Sequence, residues 1–233
     1  MEELPAESAD LPLRPGRTLP LALLVWTTSV VVLSGVAAAV VIESGQTFSD
    51  LTGPEVFAVT LPLQLGLFGG AYLVASIDRD PLRALRLGNI KYGETAVAFG
   101  LGVVAQIVII VAYAPFVWLF DIELDAAEEL AAQFSGGSVM LLVLIAVVGA
   151  PISEELFYRG LVQGSLEQTG PGWRAIGVTA ILFSGSHFQL LQAPGLLAFG
   201  LLLGWQVHRT SRISGAIAMH AGFNSIGLYL ALG

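Results

Sequence analysis

Three stretches of this chain, Leu19–Ile42, Val56–Ile77 and Thr95–Phe120, contain no Asp, Glu, Lys or Arg over 24, 22 and 26 residues. Each is longer than the roughly 20 residues that cross a hydrocarbon core as a helix. A fourth run, Ser138–Tyr158, is apolar until Glu154 and covers 21 residues. Ala175–Val207 is uncharged for 33 residues, too long for one span, and Pro194-Gly195 inside it is a strong turn signal. It reads as two short helices broken at Gln192–Gly195. With the last run, Ile213–Gly233, the pattern predicts an all-α, polytopic transmembrane helix bundle of about seven spans.

Charge sorts with these runs. The ten basic residues fall in alternate gaps: Arg14 and Arg17; Arg79, Arg83, Arg86 and Lys91; Arg159 and Arg174; Arg209 and Arg212. The opposite gaps hold Glu43, Asp50 and Glu55, then Asp121, Glu123, Asp125, Glu128 and Glu129, with no basic residue. Basic loops stay on the cytoplasmic side, which places the N-terminus in the cytoplasm and the C-terminus outside. Residues 1–18 read as a disordered cytoplasmic tail, 19–137 as N-terminal membrane helices, and 138–233 as the helix bundle that carries the chemistry. Asp125–Phe134 reads as a short amphipathic helix on the outer surface. Gly66/Gly70, Gly160/Gly164 and Gly200/Gly204 have the spacing that lets membrane helices approach closely.

Composition agrees. Hydrophobic residues make up 55%, charged residues 12%, and mean hydropathy is +0.78. Soluble domains are nearer a quarter charged. A net charge of −8 offers no electrostatic footprint for nucleic acid, and the absence of cysteine removes disulfides, thiolate metal sites and thiol catalysis.

An ionisable group inside a span costs a few kcal/mol or more and is by default a functional candidate. Three clusters qualify. Glu155 and Arg159, four apart, share a helix face in the order that favours an ion pair. Glu154 is rotated by about 100° from Glu155 and is left free to face a cavity. The alternative is a helix end whose charges snorkel to the interface. His187, in Phe183-Ser184-Gly185-Ser186-His187, lies about 12 residues into its run, roughly 18 Å along a helix. His220 and Asn224 again share a face; interhelical hydrogen bonding is their plainer use. His208, beside Arg209, reads as interfacial. Given the alternating directions of the spans, Glu154, His187 and His220 can all sit in the cytoplasmic half. A carboxylate, two imidazoles and a carboxamide in one dry pocket form a hydrolase-like set.

These three motifs, Glu-Glu-x-x-x-Arg (Glu154, Glu155, Arg159), Phe-x-x-x-His (Phe183, His187) and His-x-x-x-Asn (His220, Asn224), resemble the CPBP family, the CAAX protease and bacteriocin-processing or ABI intramembrane proteases. The resemblance covers Ser138–Gly233. It implies a bundle of seven spans, or eight as in many members, and an endopeptidase acting on membrane-associated substrates, prenylated CAAX-type chains among them. It assigns Glu154 as the base that activates water, His187 as its helper, His220 and Asn224 as oxyanion stabilisers, and Glu155, Arg159 and Phe183 as support. No cofactor is favoured; the alternative is zinc held by Glu154, His187 and His220, although the His-Glu-x-x-His zinc signature is absent. The partners expected are the lipid bilayer and a membrane-associated peptide or protein, and the location is the cell membrane with the site facing the cytoplasmic half. A bacteriocin-immunity or scaffold factor acting by binding, and a small transporter, are the rival readings; against the transporter, no inverted repeat is visible.

Overall fold

The computed structural model describes residues 15–77, 80–88, 90–121, 130–134 and 136–232. Among them all regular structure is helical. The long elements are α1 (Gly16–Glu43), α2 (Gly53–Ser76), α3 (Tyr92–Phe120), α4 (Gly136–Leu166), α5 (Gly172–Gly185), α6 (Ala193–Thr210) and α7 (Ser214–Ala231). Among the described residues four helices, α1 to α4, are long and apolar enough to cross a membrane. The other three are 14, 18 and 18 residues long.

The outer faces are apolar, as lipid requires. Val97, Leu101, Val104, Val108 and Val111 on α3 are all at least half exposed. Tyr92 and Trp118 mark the two ends of that helix, where amphipathic rings meet headgroups. Trp173 and Trp205 carry Arg174 and Arg209 over their rings at 5.1 and 5.4 Å. With lipid outside, apolar burial alone cannot hold such helices together, and close packing with interhelical hydrogen bonds takes over. The glycines show it. A Cβ on Gly70 would run into Val25, and one on Gly160 would sit 3.0 Å from the Leu85 carbonyl. The tightest crossing joins α3 to α7, where Gly102 faces the Met219 carbonyl and Gly222 faces that of Phe99.

Several expectations change in detail. Residues 1–14 of the expected tail lie outside the described residues, but helix is already present from Pro15, a residue suited to a helix start. Residues 125–129 of the expected amphipathic helix also lie outside; of its remainder, Ala131 and Phe134 are buried, the Phe134 ring lying against Gly53. The fourth run does not end at Tyr158. Helix continues to Leu166, so Arg159 occupies no loop and is completely buried. Nor does Pro194-Gly195 break the fifth run: Pro194 stands in the first turn of α6, where a missing N–H costs nothing. The break falls earlier, at Ser186–Gln192. The larger of two buried apolar clusters, around Phe157, Tyr158 and Phe183, includes Ala22, Val30, Leu67 and Ala71 from α1 and α2; the smaller joins Val41, Val56, Phe134 and Leu142.

Candidate active site

Helix α4 is built unevenly. It widens into π-helix at Leu144–Gly149, returns to α-helix at Ala150–Glu154, and widens again at Glu155–Gln163. Pro151 supplies no N–H and its ring crowds the preceding turn, which the wider winding before it relieves. A π-turn breaks the i→i−4 ladder and commonly marks a functional segment. All nine residues of the second π-segment are buried, charged ones included.

Glu155 and Arg159 meet as their spacing predicts, Arg159 Nη1 donating to Glu155 Oε1 at 2.9 Å with both side chains fully buried. Burial inside the bundle replaces the interfacial alternative. Arg159 Nη2 donates to the Gly200 carbonyl at 3.1 Å, and one turn on, Gln163 Nε2 donates to the Gly204 carbonyl at 2.9 Å. The Gly200/Gly204 pair therefore does more than permit packing: without side chains it exposes two helical carbonyls to the polar stripe Glu155–Arg159–Gln163. The Arg159 guanidinium also lies 4.6 Å from the Phe183 ring centroid.

Phe183 is the hub. Its ring meets His187 edge-on at 4.8 Å, His220 at 5.6 Å and Tyr158 at 5.7 Å between centroids. His187 stands just beyond the C-terminus of α5 rather than within a span, because Ser186 Oγ and His187 Nδ1 both bond the Phe183 carbonyl at 2.7 Å and finish the helix. His220, 3% exposed, brings Nδ1 to hydrogen-bond distance of Glu155 Oε1 at 3.0 Å. Phe199 meets the His220 ring edge-on at 5.6 Å and stacks on Phe223 at 3.9 Å. Asn224 donates Nδ2–H to the Ala146 carbonyl at 2.7 Å, inside the first π-segment where carbonyls lack their usual partners.

Glu154 is partly buried. Its Oε2 is buried without a partner, and among the described residues no hydrogen bond or ion pair engages this carboxylate. The neighbouring Tyr158 hydroxyl accepts from the Trp26 indole of α1 at 3.1 Å. The structure thus gathers His187, His220, Glu155 and Arg159 around Phe183, while Asn224 reaches toward Ala146. Among the described residues no three His, Asp or Glu side chains form a group able to hold a metal ion. Glu154, His187 and His220 are not gathered into such a group. Nδ1 of each imidazole is engaged, in His187 by the Phe183 carbonyl and in His220 by Glu155, which leaves Nε2 as the free ring nitrogen of each.

His208 is exposed and bonds Glu167 Oε1 through Nδ1 at 2.9 Å, consistent with an interfacial place. Glu167 also accepts from Gln163 at 3.0 Å and Arg86 at 2.5 Å. Burial works to raise the Glu167 carboxyl, but these bonds and the Arg86 charge outweigh it and hold it below its ordinary value of 4.5. Tyr158, Phe199 and Gln163 were not singled out in the sequence. Gln163 had a signal, as the third member of a polar stripe spaced by four; Tyr158 and Phe199 had none beyond their neighbours.

A cavity of about 440 Å³ lies beside this centre, between α3, α6 and α7, lined by Gln106, Tyr113, Gly195, Leu196, Phe223 and Gly227 among others. No charged residue lines it. Glu154 is not among the residues that line it.

Together these features define a helical membrane protein with its ionisable side chains collected at a buried centre. Residues 136–226, which include every residue of that centre except Trp26, match the family described as type II CAAX prenyl endopeptidase Rce1-like. Over that stretch the match agrees with the resemblance to the CPBP family of CAAX-type intramembrane proteases. No match is found among curated proteins or among solved structures.

Proposed function

We propose that the protein is an intramembrane endopeptidase that hydrolyses peptide bonds in membrane-associated chains with water activated by Glu154. The observation that carries this reading is the division between the adjacent carboxylates. Each has one buried oxygen without a partner, but Glu155 is committed through its other oxygen to Arg159 and His220, whereas Glu154 has no partner among the described residues. A buried carboxylate oxygen without a donor is a strong acceptor site for water. Water held there attacks the scissile carbonyl carbon as its proton passes to Glu154, which returns it to the leaving amine. His187, whose ring packs edge-on against Phe183, helps hold the water. The second N–H of Asn224 and the His220 ring face the oxyanion; one such donor contributes on the order of 3 kcal/mol. No step passes through a metal.

The sorting of basic residues supports about seven crossings, with the N-terminus in the cytoplasm and the centre in the cytoplasmic half. The uncharged cavity supports a substrate with an apolar moiety, a prenyl chain being the family's example. The test is cleavage of a lipidated reporter peptide by purified protein in vesicles. Glu154→Gln should reduce turnover by at least about 10³-fold, the sum of lost base and misplaced water. Full activity in that variant removes the mechanism and favours a protein that acts by binding.

A further inference from the structure

We infer that Glu155 is a positioning residue that fixes which ring nitrogen of His220 faces the substrate, an assignment that rests on the hydrolytic reading above. Arg159 Nη1 and His220 Nδ1 both converge on one oxygen, Glu155 Oε1, at 2.9 and 3.0 Å. An ionised carboxylate can only accept, so the ring nitrogen it meets must carry the hydrogen. His220 is therefore held with Nδ1–H toward Glu155, and Nε2 is its working atom. Two edge-on aromatic rings, Phe183 and Phe199, restrict the imidazole's remaining freedom of rotation. Arg159 cannot swing away from Glu155, because its other nitrogen is anchored on the Gly200 carbonyl.

Valence then defines what His220 can do. With Nδ1–H alone the ring is neutral and Nε2 accepts a hydrogen bond. With Nε2 also protonated the ring donates at both nitrogens, one hydrogen to Glu155 and the other to the developing oxyanion. In that form Glu155 supplies the counter-charge while Arg159 balances the carboxylate in turn. The pair is an oriented imidazole and carboxylate, arising from helices α4 and α7 that lie 65 residues apart in sequence. A carboxylate that orients an imidazole matters to turnover through the tautomer: a neutral amide in its place can hold the ring by the wrong nitrogen.

Nitrogen-15 spectra of the full-length protein, labelled at histidine in detergent, read the tautomer directly. The chain has three histidines, and His187→Gln and His208→Gln variants assign the remaining signal. The expected result is a protonated Nδ1 on His220 in the native chain; an unprotonated Nδ1 overturns the assignment whatever the activity. In the same preparation Glu155→Gln should lower kcat by on the order of 10²-fold or more while KM changes less than about threefold. A variant that keeps its kcat overturns the proposal. If Glu155→Gln does not fold, the native spectrum still decides. A native protein that shows no peptidase activity refutes the hydrolytic reading and leaves the tautomer measurement standing as an independent result.

Discussion

A single methyl group placed at the α3–α7 crossing provides a sharp test of how the centre is held. A Cβ on Gly222 would stand 2.9 Å from the Phe99 carbonyl carbon and closer still to its oxygen. Ordinary contact begins near about 3.5 Å, so α7 must withdraw by roughly 1 Å, or tilt. The obstacle is backbone, and no rotamer change can relieve it. Overpacking of this kind costs about 1–3 kcal/mol, offset by about 1 kcal/mol from replacing glycine with alanine in a helix. Stability should therefore fall by no more than about 2 kcal/mol. Activity should suffer far more, because α7 carries His220 and Asn224 on either side of Gly222, and a displacement of 1 Å can cost about 10²-fold. The assay pairs reporter-peptide cleavage with thermal unfolding in detergent, for Gly222→Ala beside Gly100→Ala. Gly100 has open space around it, and its variant should keep native activity and gain about 1 kcal/mol of stability. Equal activity in the two variants would refute the idea that this crossing sets the depth and angle of the centre.

Arg159→Met and Glu155→Gln should each destabilise the fold by about 3–5 kcal/mol, since each strands the buried charge of the other; chemical unfolding measures both, and near-native stability in either variant would contradict the pairing. Glu167→Gln addresses the opposite end of the polar stripe. The folded-state value of Glu167 is depressed, so its contribution is present above its unfolded value near 4.5 and is lost as pH falls through the lower folded value. The variant should unfold earlier than the native protein at neutral pH, with the difference shrinking as pH falls below 4.5; a gap that is independent of pH would disprove the linkage.

How much of this was legible in advance depends on how far a signal travels along the chain. Glu155 and Arg159 could be paired because four residues place side chains on one face of any helix, and a π-turn alters that angle only modestly. Runs without charge revealed the long helices, since lipid contact imposes composition directly. The start of α6 was misplaced because Pro-Gly serves both as a turn and as a first helical turn, and only the capping of α5 by Ser186 and His187 decides between them. The widened turns of α4 had no local signature beyond Pro151. The contact between Glu155 and His220 had none, since it depends on how two helices are rotated against each other.

The hydrogen bond from the Trp26 indole to the Tyr158 hydroxyl, and the core that joins Ala22 and Leu67 to Phe157 and Phe183, have a practical consequence for anyone wishing to isolate the proteolytic unit. The stretch that matches the family begins at residue 136, yet a fragment cut there would expose the flank of its most polar segment to acyl chains. Removal of the upstream helices would leave the Tyr158 oxygen without its indole donor and open a seam for lipid beside a buried guanidinium. The boundary drawn by sequence likeness is thus not a boundary along which this molecule can be divided.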